Sequence, residues 1–203
     1  MPTNHRPFLR PSIQIAALAC ALAFAGSAGA ATTTKFEPTT QVQGTALALN
    51  GAGTRFRALF QVYDLALYTP RKVSTPEELM ALPGPKLLRF TALRELPGTD
   101  LGVAFIKGLS ANSSKELVFK HTASSNRLVE IFSGRSKLVA GDSFAMEFVP
   151  GKGTTFYITG QPQGAPVGDA EFFAMVLRIW VGPSPADHQL RDALLGIERR
   201  SSN

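Results

Sequence analysis

Residues 50–70, NGAGTRFRALFQVYDLALYTP, constrain the fold more than any other stretch. Aromatic, β-branched and aliphatic side chains follow one another almost without break, which fits pleated, packed strands. The run nevertheless carries Arg55, Arg57, Gln61, Tyr63 and Asp64. Either these groups face water, or some of them hold a ligand. Further strand signals surround it. TALALN reads as a strand before a turn at GAG 51–53, and KLLRFTALREL as a strand after PGP 83–85. SFAMEFV and TTFYITG flank PGKG, a hairpin pattern that puts Phe144, Met146 and Phe148 on one face by period two.

Helix signals are interspersed. Thr75-Pro76-Glu77-Glu78 supplies a capping threonine, a proline in the first turn and a capping-box glutamate. Pro97-Gly98-Thr99 opens a helix with Leu101, Ala104, Phe105 and Gly108 at helical spacing. A weaker helix covers 123–132, Asp169 caps one running to about Val181, and Pro185 opens a short last one stopping at Gly196. Paired strands with interspersed helices and no βαβ rhythm predict an antiparallel α+β domain.

The first thirty residues read as a leader to be removed. His5, Arg6 and Arg10 form a basic start, IQIAALACALAFAG a short apolar core, and Ala28-Gly29-Ala30 a small-x-small cut site. The core is too short to span a bilayer. ALAC at 17–20 faintly resembles a lipoprotein box, but apolar residues continue past Cys20. Residues 1–30 are thus expected to be a signal peptide, 31–44 a loose arm, and 45–203 a single domain in the periplasm. Cleavage removes the only cysteine, so the core alone must stabilise the rest. Removing two leader arginines from 21 basic residues leaves 19 against 15 acids, a net +4. The basic residues are scattered apart from Arg199-Arg200, which excludes a nucleic-acid stripe. Phe172 to Val181, interrupted by Arg178, is too short to cross a membrane. Nothing in the chain sets an oligomeric state.

Motifs for cofactors are missing. GAGTRF lacks the third glycine of a dinucleotide fingerprint, and GKGTT lacks the residue that a phosphate loop needs after Gly-Lys. Both read as turns. His121 and His188 stand far apart without a carboxylate at ligand spacing, and read as surface histidines rather than a metal site. No cofactor is expected. Fourteen phenylalanines against three tyrosines and one tryptophan predict a large greasy interior, either packed core or a lipid-like cavity. Trp180, on a nearly all-apolar helix, joins that core unless a cavity lies beside it. A guanidinium from Arg55 and a phenol from Tyr63 at the mouth of an apolar pocket make a carboxylate site. On a straight strand, however, they stand ~26 Å apart. They can share one headgroup only if the chain folds back between them, at Arg57–Leu59 or in a bulge there. The competing reading leaves Arg55 exposed and Tyr63 half-buried.

NGAGTR…VYDLALYTP, LRFTALRELPG, EFVPGKGT and LRIWVG…LRDALLG together resemble the bacterial chalcone isomerase-like proteins, from about Thr45 to Gly196. The resemblance implies an open-faced β-sandwich: a large antiparallel sheet covered by a layer of helices, with a ligand cleft between them. Relatives on this fold include plant chalcone isomerases, plastid fatty-acid-binding proteins and proteins with no known activity. Their arginine after Gly-Ala-Gly matches Arg55, and the fatty-acid binders' tyrosine matches Tyr63. Plant isomerases carry a pocket lysine, tyrosine and asparagine where this chain has Ala92, Leu101 and Gly108. Their threonine-methionine pair becomes Ile179-Trp180. Donors that steady an oxyanion are thereby replaced by apolar groups. The expected function is noncatalytic binding of a small amphipathic carboxylate such as a fatty acid, anchored by Arg55 and Tyr63 with Leu101 and Trp180 bordering the cleft. Arg57 and Asp64 are expected to be solvated. Two alternatives stand beside it: an intramolecular lyase of the chalcone isomerase type on another substrate, and an accessory protein with a vestigial cleft.

Overall fold

The computed structural model describes residues 32–197, together with Met1. The expected signal peptide and the Arg199-Arg200 pair lie outside these described residues, apart from Met1. Nine strands are present among the described residues: β1 Thr39–Val42, β2 Thr45–Arg57, β3 Phe60–Thr69, β4 Lys86–Ala92, β5 Leu96–Pro97, β6 Lys137–Leu138, β7 Ser143–Val149, β8 Gly153–Ile158 and β9 Gln161–Pro162. Six helices accompany them: α1 Pro76–Ala81, α2 Gly98–Ala111, α3 Lys115–Lys120, α4 Thr122–Ser133, α5 Ala170–Val181 and α6 His188–Leu194. Seven strands form one antiparallel sheet in the order β1-β2-β3-β4-β7-β8-β9, while β5 and β6 make a small separate pair. This is the expected α+β architecture, a large antiparallel sheet with helices on one face.

Alternation along the strands sorts the two faces. Tyr63, Leu65 and Leu67 of β3 join Phe144, Met146 and Phe148 of β7 in the main core, which α2, α4 and α5 complete. Ala66 and Tyr68 point the other way, into a smaller cluster with Val42, Leu47 and Leu87. Local chemistry explains the helix starts. Thr75 accepts from Glu78 N, and Glu78 reaches back to Ser74 N. Asp169 accepts from Phe172 N and starts α5, whose residues are buried almost throughout. No helix among the described residues is long and apolar enough to cross a membrane.

Several expectations are corrected. The arm at 31–44 is not loose throughout, because β1 pairs with β2 and Val42 is fully buried. GAG 51–53 is strand, not turn. A Cβ on Gly51 would lie 2.1 Å from the Ala193 carbonyl oxygen, so the glycines let the end of α6 lie directly on β2. That last helix is capped by Asp187, which accepts from Gln189 N and Leu190 N, and begins later than Pro185. Helix α3, capped by Ser114, was not anticipated. Asp64 is fully buried, not solvated. It accepts from the Thr54 hydroxyl and from Thr34 N, thirty residues earlier. His121 is buried against Phe172 rather than on the surface, whereas His188 is exposed.

Candidate functional site

The turn between β2 and β3 occupies Ala58 and Leu59, so the chain folds back where the carboxylate geometry demands it. Its consequence is direct. Arg55 and Tyr63 are cross-strand partners in the ladder rather than opposite ends of one strand. The guanidinium carbon of Arg55 lies 5.5 Å from the Tyr63 ring centre. Beside them opens a cavity of about 590 Å³, the size of a small-ligand site. Arg55 and Tyr63 line it from the hairpin, Leu101 and Gly108 from α2, and Ile179 and Trp180 from α5. The four residues singled out in the sequence, Arg55, Tyr63, Leu101 and Trp180, therefore meet around one space.

Hydrogen bonding gives this mouth a polarity. Trp180 Nε1 donates to the Tyr63 hydroxyl oxygen at 2.8 Å. An indole N–H can only donate, so the phenol oxygen is used as acceptor and its own hydrogen remains to be given. Among the described residues it has no protein acceptor. Arg55 Nε is likewise buried with no hydrogen-bond partner. Burial lifts the Tyr63 hydroxyl above its ordinary pKa of 10.0, against the pull of the Arg55 charge and the Trp180 bond, so it stays a neutral donor at pH 7. Two donors without acceptors thus flank a pocket whose floor is aromatic. Phe90 packs at 5.3 Å edge-on to Tyr63 and at 5.2 Å from Trp180, with Phe105, Phe132 and Phe144 beyond it.

That aromatic floor was not singled out from sequence, nor was the Trp180–Tyr63 bond. The period-two run Leu88, Phe90, Ala92 carried the signal for Phe90, because it shares the inward parity of β4. Ala92, Leu101, Gly108 and Ile179 all border the cavity and bring no side-chain donor to it. Arg57, expected in solvent, is exposed and also reaches the cavity rim.

The fold also gathers polar groups elsewhere. His121, Asp169 and Glu171 place ligand-type atoms within 4.8 Å of one another, although sequence spacing shows no such cluster. Each is already engaged: Asp169 caps α5, and one Glu171 oxygen meets both Lys120 Nζ and His121 Nε2. The arrangement is a helix-to-helix tie.

A profile of chalcone isomerase-like proteins matches residues 28–196, most of the chain. The chain belongs to the chalcone isomerase-like family. A search of curated protein sequences found no match. Among solved structures, a fatty-acid binding protein of Arabidopsis thaliana is similar, with a TM-score of 0.63 at 15% identity. The match covers 79% of this chain and 91% of that one. At that identity the likeness concerns the chalcone isomerase-like fold.

Proposed function

We propose that the chain is a noncatalytic binding protein for a fatty acid or similar amphipathic carboxylate. One observation carries the reading: Arg55 and Tyr63 face each other across β2–β3 with an unpartnered guanidinium N–H and an unspent phenol O–H at an apolar cavity. A carboxylate accepts from both, and its acyl chain continues over Phe90, Leu101 and Trp180. Each buried methylene of that chain contributes about 0.8 kcal/mol. The similarity to a plant fatty-acid binding protein supports the same assignment. The leader-like residues 1–30 support a periplasmic location for this activity.

The cavity lacks what ring closure needs. Ala92, Leu101, Gly108 and Ile179 supply no side-chain donors for a developing oxyanion. Chalcone cyclisation is therefore expected at the spontaneous rate only. Titration of oleate into purified protein, with lipid extraction and mass spectrometry of what copurifies, tests the proposal. Absence of any acyl ligand, with chalcone turnover that Arg55→Ala abolishes, would return the protein to the isomerases.

A further inference from the structure

Leu59 at the tip of the β2–β3 turn is 92% exposed, and Phe60 beside it is 64% exposed. The two-residue loop itself is Ala58-Leu59, where glycine, asparagine or aspartate is the usual occupant, and Phe60 begins β3. Ala58 is moreover held at φ 54°, in the left-handed region that disfavours a side chain. The tip therefore accepts backbone strain while presenting apolar surface that stabilises nothing inside the fold.

The surroundings are of one kind. Eight large hydrophobic residues are exposed among the described residues, and five of them, Phe56, Leu59, Phe60, Val103 and Val139, cluster at this end. Phe56 lies between Arg55 and Arg57, which line the cavity, and Val103 lines it directly. Val139 N donates to Asp142, another lining residue. The apolar collar thus surrounds the cavity mouth. Its charge is basic at the tip: no acid occurs from Gly51 to Tyr63, and the Arg94 guanidinium sits 5.3 Å over the Phe60 ring. Nearby acids are largely committed. Glu95 pairs with Lys137, Asp142 holds Val139 N, and Asp187 caps α6. Asp100 remains, one helix face from Lys107, and both line the cavity.

Exposed aliphatic and aromatic side chains ringed by arginine match the boundary between acyl chains and anionic headgroups. Building on the proposed carboxylate site, we infer that the β2–β3 tip docks on an anionic phospholipid bilayer. Leu59 and Phe60 enter the acyl boundary, while Arg57 and Arg94 meet the phosphates. The cavity mouth then opens onto the membrane, and an acyl chain passes between bilayer and pocket without crossing water.

The test uses the purified processed chain with vesicles of phosphatidylcholine alone or mixed with phosphatidylglycerol. Cosedimentation should be stronger on the anionic vesicles and weaken with salt. Leu59→Asp with Phe60→Asp should lower vesicle partitioning at least tenfold, at an unchanged melting temperature. The same double variant should bind oleate in vesicle-free buffer within twofold of the parent, because neither residue lines the cavity. Arg94→Gln should reduce partitioning to anionic vesicles about fivefold and leave oleate binding alone. Equal vesicle binding by the parent and the double variant overturns the inference. So does a parent that binds oleate but no vesicle, which would assign the tip to a protein partner. Vesicle binding that depends on the tip, without oleate binding, keeps the docking surface and removes the Arg55–Tyr63 reading instead.

Discussion

Two polar pairs occupy successive rungs of the β2–β3 ladder: buried Thr54 with Asp64, and half-buried Arg55 with buried Tyr63. They face opposite sides of the sheet, and their hydrogen bonding differs. Asp64 is closed: the Thr54 hydroxyl and Thr34 N, the latter at 2.6 Å, satisfy its carboxylate. Buried Asn50 is closed too, giving to the Val73 and Leu194 carbonyls and accepting from Val73 N. The Arg55–Tyr63 rung is open on its cavity side. Burial of a polar group therefore does not mark function by itself, since structural polar groups are buried and satisfied. The buried donor without a partner is what points to a missing acceptor. Ser113, Ser125 and Thr154 also have hydroxyls without partners, but Arg55 alone among those four borders the cavity.

The largest expected effect lies on the closed rung. Asp64→Ala removes two hydrogen bonds to a buried carboxylate and should cost about 3 kcal/mol of folding stability. It also frees the segment at Thr34 from the sheet. Urea denaturation measures the loss, and oleate affinity should stay within twofold. A matching loss of affinity would erase the distinction between the rungs.

Arg55→Ala should do the reverse. Binding of oleate should weaken by about 1.5–3 kcal/mol, the scale of a hydrogen bond to a charged group. Stability should change by no more than about 1 kcal/mol, since the half-buried guanidinium forfeits chiefly its contact with the ring and hydroxyl of Tyr63. Calorimetric titration beside a urea curve separates the two outcomes.

Tyr63→Phe belongs to both categories. Loss of one neutral donor should weaken oleate binding by about 0.5–1.5 kcal/mol. Trp180 Nε1 also loses its acceptor in a buried site, which should cost about 1–2 kcal/mol of stability. The pH response sharpens the point. Because the folded pKa of Tyr63 is raised above 10.0, its contribution is fully present below pH 10 and is lost as pH rises through the higher folded value. Tyr68 and Tyr157 are raised as well, so the informative quantity is the difference between parent and Tyr63→Phe above pH 10. A parent whose alkaline profile coincides with that of the variant would show that Tyr63 is not buried as described.

Local chemistry made some of this legible in advance. Caps at Thr75 and Asp169, and the alternation of Phe144, Met146 and Phe148, depend on neighbours a few residues away. The pairing of Arg55 with Tyr63 was reachable because their sequence parity and the need for one headgroup together demanded a fold-back. Other features depend on partners that pattern cannot supply. Asp64 looked solvated because one of its partners is a backbone N–H at Thr34. The Trp180–Tyr63 bond joins residues 117 positions apart. GAG 51–53 was misread because glycine marks both a turn and a strand approached closely by another backbone, and only α6 decides which. His121 became buried through α5, which brings Glu171 and Phe172 to it.

The smallest effect tests the turn that makes the open rung possible. Ala58 adopts φ 54°, a conformation that costs an L-residue with a side chain roughly 1–2 kcal/mol. Glycine enters it without that strain but loses more freedom on folding, which returns part of the gain. Ala58→Gly should therefore stabilise the protein by about 0.5 kcal/mol in urea. Because the backbone already follows this path, the separation of Arg55 and Tyr63 and the affinity for oleate should not move. Ala58→Val, with branching at Cβ in the same left-handed conformation, should instead destabilise and loosen the hairpin. If Ala58→Gly lowers oleate affinity while raising stability, the strained turn is holding the two donors in register, and the open rung depends on rigidity as well as on unpaired hydrogens.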